Sequence, residues 1–353
     1  MTLNELLRRT REWFTGLGIE SARLDAEVLI AHALQIRRIA LYTDGERPLS
    51  DEEVAACRAL VARRGKREPV AYIVGTREFW SLEFDVDKRV LIPRPDTETL
   101  VQLALEWLDD TPQAEVTTHL DDGPPLHPEV PPVGELVPGL DTVVQYDVPL
   151  VVTADGDQDV TIDADAVPPE PAPAAAPPQA PGDDRLVLDY GTGSGVIAVS
   201  ITVERPGLRA LALDVSRDAL AVAKDNATRH GVSDRIGFVC SDGFASLPPR
   251  FQGQLAAIIA NPPYVPLADE ASLSPDVRDH EPRQALFAGP DPLAHYRMIA
   301  AQASRWLCPR GFVAVEVGFG QAQQVAALFS ALGTVEIRRD LSGIERVVAA
   351  RTR

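Results

Sequence analysis

The tetrapeptide Asn261-Pro262-Pro263-Tyr264 contains the residue types that point most directly to chemistry. Its two prolines lack an N–H and hold φ at about −65°, so the chain there is extended and presents carbonyl acceptors with few competing donors. The Asn261 side-chain oxygen and the Pro262 carbonyl can together accept both hydrogens of an NH2 group, with the Tyr264 ring against the flat group that carries it. The tetrapeptide therefore predicts a site for a planar nitrogen nucleophile. A turn that merely closes a strand is the less favoured interpretation, because an aromatic residue follows.

Three further loops have the composition of a nucleoside site. The glycine-rich loop Gly191-Thr192-Gly193-Ser194-Gly195 follows an apolar run, and such glycines let backbone N–H groups approach a ligand closely. Asp214 ends the next apolar run and can accept hydrogen bonds from both ribose hydroxyls. After a third run, in the segment Asp242-Gly243-Phe244, the Asp242 side chain can accept from an adenine amino group and the Phe244 ring can cover the base.

Short apolar runs alternate with helical patterns from Leu186 onward, which predicts an α/β fold with a mostly parallel sheet covered on both faces. In such a sheet, loops at the carboxyl ends of neighbouring strands share one crevice. The glycine loop, both aspartates and Asn261 are therefore expected in a single site that holds nucleoside and nucleophile together.

The remaining chain is predicted to divide into three parts. Residues 1–75 have helical periodicity and predict a small helical domain, residues 76–92 predict a β-hairpin linker, and residues 93–353 predict the catalytic domain. The third predicted helix opens with a capping box, Ser50 and Glu53. It closes on the basic residues Arg63, Arg64, Lys66 and Arg67, which complement a helix C-terminus; a docking patch for an acidic partner is the less favoured interpretation.

The net charge of −18 is concentrated in one segment. Residues 109–184 contain 17 Asp or Glu and no Lys or Arg, so the rest of the chain carries a net charge of −1. Like charges and many prolines without an apolar period predict a disordered insertion there. Because a nucleic-acid-binding protein usually has a basic stripe, no stable nucleic-acid binding is expected.

No metal site, membrane span or signal peptide is expected from the pattern. The cysteines Cys57, Cys240 and Cys308 lie far apart without metal-type spacing. The chain contains no apolar stretch long enough to span a membrane, so a cytoplasmic protein is expected.

Five segments carry a family resemblance when they are taken together. They are Arg77-Glu78-Phe79-Trp80-Ser81-Leu82, Ile92-Pro93-Arg94-Pro95-Asp96-Thr97-Glu98, Leu188-Asp189-Tyr190-Gly191-Thr192-Gly193-Ser194-Gly195, Asn261-Pro262-Pro263-Tyr264 and Glu281-Pro282-Arg283-Gln284-Ala285-Leu286. This succession resembles the bacterial peptide chain release factor glutamine N5-methyltransferases, the HemK or PrmC family. The resemblance covers nearly the whole chain except residues 109–184.

The resemblance implies a class I methyltransferase fold that uses S-adenosylmethionine, with an N-terminal helical domain for substrate recognition. It implies methylation of the glutamine in the Gly-Gly-Gln loop of class 1 release factors. By motif match, residues 191–195 line the methionine part, Asp214 the ribose, residues 242–244 the adenine, and residues 261–264 the glutamine amide. Gly243 departs from the family pattern, in which a bulky aromatic often follows the aspartate, and the acidic insertion is also a departure.

Two other functions fit part of the sequence. A nucleic-acid adenine or guanine N-methyltransferase would also use Asn261 to Tyr264, since this motif suits any planar nitrogen. A nicotinamide-dependent oxidoreductase or a non-catalytic nucleotide-binding module fits the glycine loop and Asp214, but it leaves Asn261 to Tyr264 without a role.

Overall fold

The computed structural model describes residues 1–112 and 183–353. The N-terminal part of the chain is helical. Its helices are α1 (Leu3–Gly16), α2 (Ala22–Ala33), α3 (Ala40–Thr43), α4 (Asp51–Gly65) and α5 (Val70–Val74). The predicted capping box is present at the start of α4, where the Ser50 and Glu53 side chains accept from each other's backbone N–H groups at 3.2 and 3.0 Å. Such reciprocal caps satisfy backbone donors that a helix start leaves free.

The basic residues that close α4 make contacts within the protein. Arg64 is buried and pairs with Asp25 of α2 and with Asp276, both at 2.7 Å. Arg63 pairs with Glu68, and Arg67 donates to the Leu17 carbonyl at 2.6 Å. Arg64 therefore links the helical part to the short helix Pro275–Arg278, which contains Asp276. These contacts account for three of the four cations without a docking patch.

An antiparallel hairpin follows, formed by β1 (Thr76–Phe79) and β2 (Leu82–Asp85). Its turn residues Trp80 and Ser81 both have positive φ, as in the turns that match the twist of a hairpin. The Asn226 side chain accepts from the Asp85 N–H at 2.7 Å and donates to its carbonyl at 3.0 Å. These two bonds fix the end of the hairpin to the helix Arg217–Arg229, which contains Asn226.

A seven-stranded sheet forms the centre of the C-terminal part of the chain. Its strands are β3 (Leu186–Tyr190), β4 (Arg209–Asp214), β5 (Ile236–Cys240), β6 (Leu255–Ala260), β7 (Leu307–Glu316), β8 (Gly333–Arg339) and β9 (Glu345–Thr352), in the spatial order β5-β4-β3-β6-β7-β9-β8. The first five are parallel, whereas β9 runs antiparallel to both β7 and β8. The predicted mostly parallel α/β fold is confirmed.

Helices cover both faces of the sheet. They are α6 (Thr97–Asp110), α7 (Val196–Glu204), α8 (Arg217–Arg229), α9 (Pro275–Arg278), α10 (Arg283–Leu286), α11 (Ala294–Trp306) and α12 (Ala322–Phe329), with 3-10 turns at Pro249–Phe251 and Leu267–Ser272. Helices α6 and α7 pack on one face, where Trp107 stacks on Phe312 with ring centroids 5.0 Å apart. Helices α11 and α12 pack on the other face.

The acidic insertion predicted at residues 109–184 begins later than expected. Asp109 and Asp110 are the last residues of α6, and Asp109 pairs with Arg205. The apolar face of α6 carries the helix past the first acidic residues, which composition alone had assigned to the insertion. At the other end, buried Arg185 donates to the Leu108 and Thr111 carbonyls, both at 2.9 Å. Residues 113–182 lie outside the described part of the chain.

Candidate active site

One cavity of about 800 Å³ lies at the carboxyl ends of β3, β4, β5 and β6. The predicted site residues that line it are Gly191, Thr192, Gly193, Ser194, Asp214, Asp242, Gly243, Asn261 and Pro263. The structure therefore brings the glycine loop, both aspartates and the asparagine into one crevice. Gly195, Pro262, Tyr264 and Phe244 are not part of its lining.

The glycine loop turns back over the end of β4. The Gly191 and Thr192 N–H groups both donate to the Leu213 carbonyl, at 2.8 and 2.9 Å. Gly191, Gly193 and Gly195 all have positive φ, a conformation that side chains disfavour. At Gly195 a Cβ would also lie only 3.0 Å from the Cβ of Ala223. Glycine is therefore required there for both the turn and the close approach to α8.

Backbone donors hold the Asp214 carboxylate at the cavity wall. Its oxygens accept from the Gly193 N–H at 2.9 Å and from the Ser216 N–H at 2.8 Å. Burial raises the pKa of Asp214, and these two bonds oppose that rise. A carboxylate fixed in this way can accept hydrogen bonds from a diol such as ribose.

Asp189 is a feature that the sequence reasoning missed. It is fully buried at the end of β3, and its Oδ2 accepts from the Thr192 hydroxyl at 2.6 Å and the Ala198 N–H at 3.1 Å. Its Oδ1 has no partner within the described residues. Burial raises the pKa of Asp189 to about 7. The sequence signal was its position directly before the glycine loop.

The segment 242–244 differs from the prediction in one respect. Phe244 does not line the cavity, because its ring is buried in the core. There it stacks on Trp306, with the ring centroids 6.0 Å apart. Gly243 has a φ of +56°, and a Cβ there would lie 2.5 Å from the Met298 sulfur. The wall beside Asp242 is instead formed by the last residue of β3, Tyr190, and by His295.

Those two wall residues form a pair. The Tyr190 hydroxyl lies 3.3 Å from His295 Nδ1 and 3.4 Å from the position that a Gly243 Cβ would take. Burial lowers the pKa of His295, which favours the neutral imidazole. In the family pattern, position 243 often carries an aromatic side chain. Here Tyr190 on β3 and His295 on α11 provide an aromatic surface beside Asp242 instead.

Asn261 lies at the end of β6, where Thr97 also lines the cavity and binds the nitrogen of the Asn261 amide. Its Nδ2 donates to the Thr97 hydroxyl at 3.0 Å, and that hydroxyl donates to Glu316 Oε2 at 2.6 Å. The Tyr264 hydroxyl donates to the other oxygen of Glu316 at 3.3 Å. Oδ1 is thus the end of the Asn261 amide left for a cavity partner. Sequence reasoning had assigned no role to Thr97 or Glu316.

Part of the cavity wall comes from the segment between the hairpin and α6. Buried Glu281 accepts from the Ile92 N–H at 3.2 Å and from the Arg94 guanidinium at 2.5 Å. The Tyr72 hydroxyl donates to the Val90 carbonyl at 2.6 Å. Two of the motifs singled out in the sequence, at residues 92–98 and 281–286, are therefore bound to each other and face the cavity together.

The donor set fits S-adenosylmethionine, the cofactor that the family resemblance implies. This molecule is a sulfonium that also carries an ammonium group, and the cavity wall contains or borders three carboxyl groups, on Asp189, Asp214 and Asp242. The unpartnered Oδ1 of Asp189 behind the glycine loop suits a cationic neighbour, because an unpaired buried carboxylate is costly. Among the described residues, no cluster of His, Cys, Asp or Glu could hold a metal ion, and no helix is long and apolar enough to cross a membrane.

Comparison with known proteins gives similarities along the whole chain. Residues 5–75 match the PrmC N-terminal domain, and residues 177–273 match the methyltransferase small domain. The release factor glutamine methyltransferase of Geobacter sulfurreducens is 35% identical over 99% of this chain and 96% of its own length. That of Nitratidesulfovibrio vulgaris is 35% identical over 99% and 95%, and that of Caulobacter vibrioides is 31% identical over 99% and 96%.

Proposed function

Because the chain belongs to the family of release factor glutamine methyltransferases, we propose that it methylates the side-chain amide nitrogen (N5) of the glutamine in the Gly-Gly-Gln motif of class 1 peptide chain release factors. S-adenosylmethionine supplies an electrophilic methyl group on its sulfonium. A release factor as substrate places the reaction in the cytoplasm, where translation terminates. The helical part at residues 1–75 serves substrate recognition.

The observation that carries this proposal is the orientation of Asn261. Its amide oxygen is left for the same cavity that the glycine loop and Asp214 line. A glutamine amide placed there donates one hydrogen to Asn261 Oδ1. We assign the other hydrogen to the backbone carbonyl of Pro262, the next residue, which does not itself line the cavity in this structure. Both acceptors act on N–H groups, so they select a nitrogen that carries two hydrogens.

Orientation is the main contribution that the chain makes to such a reaction. An amide nitrogen is a poor nucleophile because its lone pair is delocalised into the carbonyl. Two fixed acceptors hold the NH2 group so that its face points along the path of the methyl group, and orientation of this kind supplies up to ~7–11 kcal/mol of the barrier reduction. No strong base is needed, since the product loses its proton after transfer.

We assign the cofactor contacts by position. Residues 191–195 and Asp189 hold the methionine part, Asp214 the ribose hydroxyls, and Asp242 the adenine amino group. Tyr190 and His295 flank the base in place of the residue after Asp242. The lining of the cavity and the carboxyl groups around it support this assignment.

Mass spectrometry of a purified class 1 release factor tests the function. After incubation with the protein and S-adenosylmethionine, we expect the mass of one methyl group on the Gly-Gly-Gln peptide, and none on a release factor whose motif glutamine is replaced by glutamate. Methylation of a DNA or RNA oligonucleotide with the release factor unmodified would contradict the proposal and favour a nucleic-acid N-methyltransferase.

A further inference from the structure

A hydrogen-bonded relay lies behind the Asn261 amide and joins three elements that are distant in sequence. It runs from Asn261, after β6, to Thr97 at the start of α6 and on to Glu316 at the end of β7. Thr97 and Glu316 are only 2% and 1% exposed. Water therefore does not compete for these groups, and the relay determines which way each hydrogen points.

The direction of the relay follows from counting hydrogens. A threonine hydroxyl has one hydrogen, and the hydrogen of Thr97 is donated to Glu316 at 2.6 Å. The Thr97 oxygen can then only accept from Asn261, so it binds the NH2 end of that amide. An asparagine amide has a donor end and an acceptor end. Holding the donor end at Thr97 leaves the acceptor end for the cavity.

We propose that Glu316 is a positioning residue which, through Thr97, fixes the orientation of the Asn261 amide so that its oxygen receives the NH2 group of the substrate. This inference rests on the proposed function, since it deepens the role of Asn261 in that reaction. Glu316 itself touches neither substrate nor cofactor. It acts by keeping Thr97 an acceptor towards Asn261.

Tyr264 donates a hydrogen bond to the same carboxylate. Its hydroxyl donates to Glu316 Oε1 at 3.3 Å while Thr97 donates to Oε2. With one donor on each oxygen, the ionised form of Glu316 is matched by its surroundings. Tyr264 was predicted to lie against a flat substrate group, but it does not line the cavity. Its hydroxyl instead stabilises the charge state of Glu316 on which the relay depends.

The protonation of Glu316 reverses the relay. A proton on Oε2 makes the carboxyl a donor to Thr97, whose own hydrogen then points to Asn261 and draws the amide oxygen away from the cavity. Burial, together with the charge of nearby Asp96, raises the pKa of Glu316 to about 7, although the hydrogen bonds from Thr97 and Tyr264 and the charge of Arg346 oppose the rise. Arg346 is itself paired with Asp96 and Asp340.

The sign of the pH effect follows. The active orientation requires the carboxylate, so turnover at saturating cofactor should rise as pH increases through the pKa of Glu316 and fall as pH decreases through it. Tyr264 shares the carboxylate, but burial raises the pKa of its hydroxyl well above its usual range. Tyr264 therefore stays protonated where Glu316 titrates.

The first test is a set of threonine variants measured by single-turnover methylation of a release factor and by calorimetry with S-adenosylmethionine. Thr97→Val keeps the shape and removes the hydroxyl, and it should lower the methyl-transfer rate about tenfold or more with unchanged cofactor affinity. Thr97→Ser returns the hydroxyl and should recover most of the lost rate. Thr202→Val is the matched control, because buried Thr202 donates only to the Ala198 carbonyl of its own helix.

The second test is Glu316→Gln, which keeps the shape of the side chain but does not titrate. The wild-type rate should show a limb near pH 7 that is absent from Glu316→Gln between about pH 6 and pH 8. This measurement is independent of Thr97→Val, so it decides the question if that variant does not fold. A limb that persists in Glu316→Gln belongs to another group, such as Asp189, and overturns the inference.

Asn261→Ala separates failure of the inference from failure of the proposed function. A normal rate in folded Thr97→Val beside a large loss in Asn261→Ala would overturn the relay and leave the function standing. A normal rate in both variants would overturn the role of Asn261 and the relay with it. A large loss in both, with rescue by Thr97→Ser, supports both.

Discussion

The two sides of the cavity are built in different ways. The side with the glycine loop and Asp214 is formed mainly by backbone N–H groups and carboxylates between residues 189 and 243. The side with Asn261 depends on side chains from distant parts of the chain, since Thr97 and Glu316 are 219 residues apart. The residues of the first side are close together in sequence, and we expect several of them to contact the same ligand. The residues of the second side are far apart in sequence, and each makes a contact that no other residue duplicates.

This difference predicts how each side responds to substitution. Several backbone and carboxylate groups share the binding of a cofactor, so the loss of one should weaken affinity by a limited amount. The amide of a substrate meets few acceptors, and each of them is needed for geometry rather than for affinity. Substitutions on that side should therefore act on the rate of methyl transfer, and more steeply.

The largest effect is expected for Asn261→Ala. It removes one of two acceptors for the substrate NH2 group, so the single-turnover rate should fall about 10²–10³-fold. Cofactor affinity by calorimetry should stay close to wild type, because the glycine loop and Asp214 are unchanged. Asn261→Asp should also methylate poorly, and its added negative charge near the sulfonium should tighten cofactor binding.

Thermal stability measured on the same preparations is the control for Asn261→Ala. If Asn261 only closes β6, the variant loses stability and the folded fraction turns over at the normal rate. That result would remove the contrast between the two sides of the cavity.

A smaller effect is expected for Asp214→Ala, which tests the local side. A charge-assisted hydrogen bond is worth about 1.5–3 kcal/mol, so the affinity for S-adenosylmethionine should fall about 10–100-fold while the rate at saturating cofactor changes little. Asp214→Asn, which keeps one acceptor for the Gly193 or Ser216 N–H, should lose less. Unchanged affinity in folded Asp214→Ala would exclude Asp214 from the site.

Asp189→Asn should bind the cofactor less tightly and, without cofactor, should be more stable than wild type at neutral and higher pH. Folding raises the pKa of Asp189, so the folded protein holds this proton more tightly than the unfolded chain does. The free energy of unfolding that Asp189 contributes is therefore fully present at low pH and is lost as pH rises towards about 7. Above that pH, the variant without cofactor should be more stable than wild type, since it buries no charge. Its cofactor affinity should fall about tenfold.

Chemical denaturation at pH 5 and pH 8 checks the prediction for Asp189. The stability difference between variant and wild type should grow with pH. A difference that is the same at both pH values would show that Asp189 does not titrate in this range.

The smallest effect is expected from deletion of residues 113–182 with a short Gly-Ser linker in their place. The flanking residues already meet, because Arg185 binds the Thr111 carbonyl, and the cost of loop closure varies slowly with length. The melting temperature should shift by less than about 3 °C, and both cofactor affinity and turnover should be retained. A large loss of either would show that the insertion supports one side of the cavity.

The same contrast explains what could be predicted from the sequence. The alternation of strands and helices, the glycine loop and Asp214 follow from patterns within a few dozen residues, where periodicity and turn composition are informative. Asn261 was found because its own neighbours are unusual. Each of these residues carries its signal in adjacent positions.

The relay residues and the aromatic residues beside Asp242 lacked such a signal. Thr97 resembles any helix-start threonine, and Glu316 any polar residue at a strand end, until the fold places them beside Asn261. Phe244 was assigned to the cavity because of its position after Asp242, yet packing on Trp306 turns it into the core. Tyr190 and His295 replace it from distant elements, and only tertiary packing determines that.

The stack of Trp107 on Phe312 has a consequence for how the protein is made. About 200 residues separate the two rings, so α6 leaves the ribosome well before the strand it packs against. At a synthesis rate of about 5–20 residues per second, the apolar face of α6 waits roughly 10–40 s for β7. The core around this stack therefore closes late in translation.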